Sequence, residues 1–114
     1  MVKLESLKKS NQFRKALKEK KVHTNFFSIF AAKNFIKSKN NSLNISFVMK
    51  KKIGNAVKRN RIKRKLKSIV INLLKIKGAI NRNYTYIVFG KTKSYVEKTD
   101  KLTEIMIKSF KKIN

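Results

Sequence analysis

Hydrophobic patterning predicts an α+β fold, a single domain with one mixed sheet and helices packed on it. Three observations carry that expectation. Leu43, Ile45, Phe47 and Met49 alternate with Asn44, Ser46, Val48 and Lys50, the two-residue period of a half-buried strand. Ile62, Leu66, Ile69, Val70 and Leu73 recur at helical spacing, as do Leu102, Ile105, Met106 and Phe110. Tyr84-Thr85-Tyr86-Ile87-Val88-Phe89 is a nearly continuous apolar run, the mark of a strand buried on both faces. With 114 residues, no Pro, three Gly and no repeat or long linker, one domain over 1–114 accounts for the chain.

Taken in order, residues 1–9 read as an irregular basic arm. Ser10 is suited to cap a first helix over 11–20, with Phe13, Ala16 and Leu17 as its apolar stripe. Residues 24–33 are aromatic and extended, with Phe27, Ile29 and Ala31 on one face and Phe26, Ser28 and Phe30 on the other. A polar turn over 37–42 leads to the alternating strand, and the two strands together suggest an antiparallel hairpin. Gly54-Asn55 ends the extended region, and Asn55 can cap a long helix over 56–76 that Gly78 terminates. The apolar run at 84–89 and a last helix over 98–112 complete the order helix, two or three strands, helix, strand, helix.

The charge is far from the globular norm. Thirty-one Lys and Arg face five acids, a net +26, so most cations have no acidic partner in the chain. Crowding them on a small surface costs self-repulsion that a polyanion relieves. Nucleic acid is the first candidate partner, because phosphate neutralisation releases condensed counterions. An anionic membrane is the second, but no apolar stretch nears the roughly 18 residues of a span, and the start of the chain lacks a signal peptide's apolar core. The absence of Cys excludes disulfides and thiolate zinc sites. Cytoplasm is the simplest location, and the sequons at Asn40, Asn44 and Asn83 read as chance matches in an Asn-rich chain.

The charge peaks over residues 50–67, where ten of eighteen residues are Lys or Arg and none is acidic. On a helical wheel Ile62, Leu66, Ile69 and Leu73 gather on one side. Asn60, Arg61, Arg64 and Lys67 lie on the other, Lys63 and Lys65 on the flanks, and Lys58 and Arg59 in the first turn. Arg offers a planar fork to phosphate and Lys a mobile point charge. Asn60 can donate to or accept from a base or ribose edge, and the N–H groups after Asn55 add a weak anion site. A small ribosomal protein would carry similar charge, often in long tails rather than a central helix.

Gly54-Asn55-Ala56-Val57-Lys58-Arg59-Asn60-Arg61-Ile62-Lys63-Arg64 resembles the signature helix of the bacterial ribonuclease P protein family, nearly residue for residue. Leu7-Lys8-Lys9-Ser10-Asn11-Gln12-Phe13, the aromatic strand, the Lys51-Lys52 pair, the late apolar strand and the final helix match in order and spacing. The departures are Lys50 where the family usually has Ser or Thr, Ser46 near its Gly, Ser68 where an acid often stands, and Leu17 at a place often aromatic. The resemblance implies an αβββαβα fold with a left-handed crossover, an RNA subunit as the catalyst, and magnesium held mainly by that RNA. It implies ribonuclease P RNA and precursor tRNA as partners, with no need for a protein oligomer. Phe13, Leu17 and Phe30 would line a cleft for the 5′ leader, beside a basic side of Lys51, Lys52, Asn60, Lys63, Arg64 and Lys67. Asn55, Lys58, Arg59, Arg61 and Lys65 complete the expected RNA-binding set. On spacing alone Phe13 reads as core and Phe30 as core or platform; Phe27, Phe47, Phe89 and Phe110 read as core.

No protein-borne catalytic or metal site is expected. Glu5, Glu19, Glu97, Asp100 and Glu104 are scattered, and Asp100 and Glu97 suit the start of the last helix. His23, the single histidine, reads as a turn or strand-edge residue.

Overall fold

The structure, a computed structural model, describes residues 2–33 and 42–113. Apart from Ser42, the expected polar turn lies outside those residues, as does Asn40. Among these residues five strands and three helices follow the order β1 (Lys3–Glu5), α1 (Ser10–Ala16), β2 (Lys20–His23), β3 (Phe27–Lys33), β4 (Ser42–Val48), α2 (Ala56–Leu73), β5 (Tyr84–Gly90) and α3 (Thr99–Ile113). Short 3-10 turns at Lys51–Ile53 and Thr92–Tyr95 lead into α2 and follow β5. The α+β expectation holds, with one mixed sheet.

The sheet order is β1-β4-β5-β3-β2. β4 runs parallel to both β1 and β5 (Leu4 opposite Leu43, Phe47 opposite Val88), whereas β3 is antiparallel to β5 and β2 (Phe30 opposite Ile87, Val22 opposite Ile29). The expected β3–β4 hairpin is therefore wrong: β5 lies between the two strands. Its run of apolar residues needs cover on both faces, and the central place supplies it. The irregular arm is also corrected, since Lys3–Glu5 extend the sheet and Leu7 is buried.

Alternation divides the core. Phe27, Ile29, Leu43, Ile45, Tyr86 and Val88 face α2 and α3, meeting Ile62, Leu66, Leu73, Leu102 and Phe110. On the other face Ile87 packs with Leu7 and Ala16 of α1, edged by the half-buried Phe13, Phe30, Val48 and Phe89. The buried stripe of α2 is Ile62, Leu66, Ile69, Val70 and Leu73, as its periodicity predicts. Gly90 closes the α2 face, because a Cβ there would run into Met49 and the buried Ile62.

Local chemistry sets the ends. Gln12 Oε1 accepts from the N–H groups of Lys8 (2.9 Å) and Lys9 (3.1 Å), so α1 opens on Lys9 and Ser10 lies in its first turn. The helix stops at Ala16 rather than 20 because Lys20–His23 pair with β3 instead. Gly54, at φ +151°, turns the chain into α2, and Asn55 Oδ1 accepts from Lys58 N at 2.9 Å. That helix ends at Leu73, short of Gly78, in a pair of tight turns through Lys75 and Ile76.

Candidate nucleic-acid interface

Because α1 is short, it leaves one end of its sheet face uncovered. There a hollow of about 480 Å³ is lined by Leu17, His23, Phe30, Lys50, Lys52, Phe89 and Lys91, among others. Its floor follows from strand pairing. Ser28 stands opposite Phe89, and Phe30 is the diagonal neighbour of Phe89, within reach of a long ring. Phe30 and Phe89 meet edge to face at 5.4 Å, and His23 meets Phe30 at 5.6 Å. His23 Nδ1 also shares a 2.7 Å hydrogen bond with Ser28 Oγ. Lys50 Nζ lies 5.7 Å from the Phe89 centroid, and Lys91 Nζ donates to Thr24 O at 2.6 Å. The result is an aromatic row with cations at its rim.

A second path runs between β4 and α2. β1 pairs only as far as Asn44, so beyond it Leu7 N–H donates to Ser46 Oγ at 2.7 Å and the strand flank stays open. A groove of about 260 Å³ there is lined by Phe13, Phe47, Val48, Lys63 and Lys67, with residues of the N-terminal segment. It shares Phe47 and Lys63 with a neighbouring hollow of about 230 Å³ that also carries Arg59 and Asn60. The Nε of Arg59 is buried and makes no hydrogen bond among the described residues.

The third flank of α2 meets the Thr92–Tyr95 turn. Lys58 Nζ and the Arg61 guanidinium lie 5.1 Å and 5.9 Å from the Tyr95 centroid. Lys65 Nζ donates to Ser94 O at 3.1 Å and to Glu97 O, so this half-buried lysine ties two elements together. Arg64 points outward and is exposed, as are Lys51 and Lys52 in the preceding turn.

The expected site residues are thus brought to one region but not to one surface. Leu17 and Phe30 share the aromatic hollow with Lys52, whereas Phe13 lines the β4–α2 groove with Lys63 and Lys67. Asn55 spends its side-chain oxygen on the helix cap. Sequence reasoning missed Phe89, taken for core, and His23, Lys50 and Lys91 as lining residues. The signal for Phe89 was its place: it shares a face with Ile87 but stands at the strand's end, where helical cover is thinnest.

A mixed sheet backed by an amphipathic helix, with cations around aromatic-floored grooves, defines a small RNA-binding α+β protein. The same fold occurs in the RNase P protein from Thermotoga maritima, with a TM-score of 0.75, 23% identity, and coverage of 96% of this chain and 98% of that one. It occurs also in the Staphylococcus aureus RNase P protein, with a TM-score of 0.68, 24% identity, and coverage of 95% and 93%. A S. aureus RNase P protein mutant with defective mRNA degradation activity gives a TM-score of 0.73 at 23% identity, with coverage of 95% and 86%. No curated protein matches the chain in sequence. The Ribonuclease P family model matches residues 1–114, and the chain belongs to that family. It is a protein subunit of ribonuclease P, which processes the 5′ end of tRNA, and associates with ribonuclease P RNA.

Proposed function

We propose that the protein supports tRNA maturation by holding two RNAs: ribonuclease P RNA on α2 and the 5′ leader of precursor tRNA across the aromatic grooves. The row His23–Phe30–Phe89, rimmed by Lys50 and Lys52, carries this reading. Single-stranded RNA offers unstacked bases to rings and phosphates to cations. The leader would pass from this hollow toward Phe13, Lys63 and Lys67. Arg59, Lys63, Arg64 and Lys67 would neutralise backbone charge along α2, with Asn60 hydrogen-bonding among them and Lys51 and Lys52 beside the helix start.

In this reading RNA is the catalyst and holds the magnesium. The described residues offer no group of three or more His, Cys, Asp or Glu that could hold a metal ion. Among the described residues no helix is long and apolar enough to cross a membrane, and the cytoplasm is the proposed location.

Two measurements test the reading. Affinity for ribonuclease P RNA should fall with salt at a log–log slope of about −4 to −9, if roughly six to ten phosphates are neutralised. A slope near zero would show that the charge is not engaged. Added to a bacterial ribonuclease P RNA at low magnesium, the protein should raise precursor cleavage; cleavage by rigorously RNA-free protein would overturn the division of labour.

A further inference from the structure

The flank of α2 facing the Thr92–Tyr95 turn is cationic too, and its aromatic residue belongs to the other side of the sheet. Tyr95 packs against the core under α2 and α3, whereas Phe30 and Phe89 belong to the cluster under α1. Lys58 and Arg61 both lie against its ring, and Arg61 Nη1 donates to the phenol oxygen at 3.4 Å. Neither cation has a carboxylate partner among the described residues.

The turn that carries the ring is braced. Ser94 is fully buried, its N–H and hydroxyl both donate to Lys91 O (3.1 and 2.6 Å), and Lys65 grips Ser94 O and Glu97 O from α2. Next to these residues in the chain, Val57 is 75% exposed and Val96 80% exposed, apolar surface that the core does not use. Two like charges on one fixed ring repel each other unless an anion joins them. A ring, a pair of cations and apolar edges together match an unpaired nucleotide: a base to stack, phosphates to pair and a ribose to cover.

We propose that this flank is a second RNA-contact surface, where an unpaired nucleotide of ribonuclease P RNA displaces Lys58 and Arg61 from the Tyr95 ring, its base stacking there while the two cations take the adjoining phosphates. It rests on the reading of α2 as the RNA-binding helix. The catalytic RNA is the partner because the leader, in that reading, lies on the α1 face, away from the core to which Tyr95 belongs. A duplex offers no free base face.

The test uses the full chain with two probes, ribonuclease P RNA and a leader-length single-stranded oligoribonucleotide. Tyr95→Leu keeps apolar bulk but removes the ring, and should weaken ribonuclease P RNA binding at least about fivefold. Tyr95→Phe keeps the ring but loses the Arg61 bond to the phenol oxygen, and should recover most of the binding that Tyr95→Leu loses. Because the chain has no Trp, Tyr95→Trp supplies a single reporter whose emission should be quenched by ribonuclease P RNA. Arg64→Ala, on the outward face, is the reference. Weakening by Arg64→Ala but not by Tyr95→Leu overturns this surface alone; no effect of either overturns the reading of α2. A loss confined to the oligonucleotide overturns the choice of partner. Should Tyr95→Leu fail to fold, the Trp variant decides, and unquenched emission at saturating ribonuclease P RNA refutes the proposal.

Discussion

Phe30→Leu separates the two roles that Phe30 could have. A fully buried Phe removes on the order of 150 Å² from water, worth about 4 kcal/mol at 25 cal/mol per Å², and the half-buried Phe30 contributes a part of that. Truncation to Ala therefore risks unfolding a domain whose total stability is about 5–15 kcal/mol. Leu retains most of that area. It forfeits the edge contacts with His23 at 5.6 Å and Phe89 at 5.4 Å, each worth about 0.5–1.5 kcal/mol. The stability cost is then about 1–3 kcal/mol, a fall in Tm of about 4–8 °C per kcal/mol. If a leader base stacks on the ring, its loss costs a further 1–3 kcal/mol of binding, roughly 5- to 150-fold. The assay compares precursor and mature tRNA binding to the reconstituted holoenzyme below the variant's melting range. Precursor affinity should fall by that factor while mature tRNA is unaffected. Normal discrimination by folded Phe30→Leu would show that the ring is core and that the leader lies elsewhere.

Gly90→Ala should destabilise the fold by about 1–3 kcal/mol, because the new methyl would meet Met49 and, at 2.9 Å, Cγ2 of the fully buried Ile62; an unchanged urea midpoint would contradict that packing. Burial pushes the Tyr86 phenol well above its ordinary range, and only the neutral phenol can donate its hydrogen bond to Asn81 O at 2.8 Å. The unfolded chain thus ionises first. The stability contribution is full below about pH 10 and declines as pH rises beyond it. Tyr86→Phe should flatten that alkaline decline in thermal melts, and an identical decline in the variant would assign it to other groups.

Elements with a strong local period were legible. The stripe of α2, the cap at Asn55, the two faces of β3 and the two-sided burial of β5 all follow from spacing and side-chain chemistry within one segment. The cationic helix was legible for the same reason, since a run without acids announces itself. Strand neighbours were not: alternation shows that β3 and β4 each have a buried face, but backbone N–H and C=O groups pair equally well with any strand. Placing β5 between them needed the whole sheet, and so did the capture of Lys3–Glu5 by β4. The basic residues divided in the same way. Residue type put Lys58, Arg59, Lys63 and Lys65 on one helix, yet their surroundings come from elsewhere in the chain. Tyr95, thirty residues beyond Lys65, braces one flank, while Phe13 and Phe47 line the other. Phe89 looked like core because its neighbours are; it becomes a cleft floor only because α1 ends at Ala16 and leaves that corner uncovered. Periodicity reports that a residue meets something, and the identity of the neighbour is settled by contacts distant in sequence.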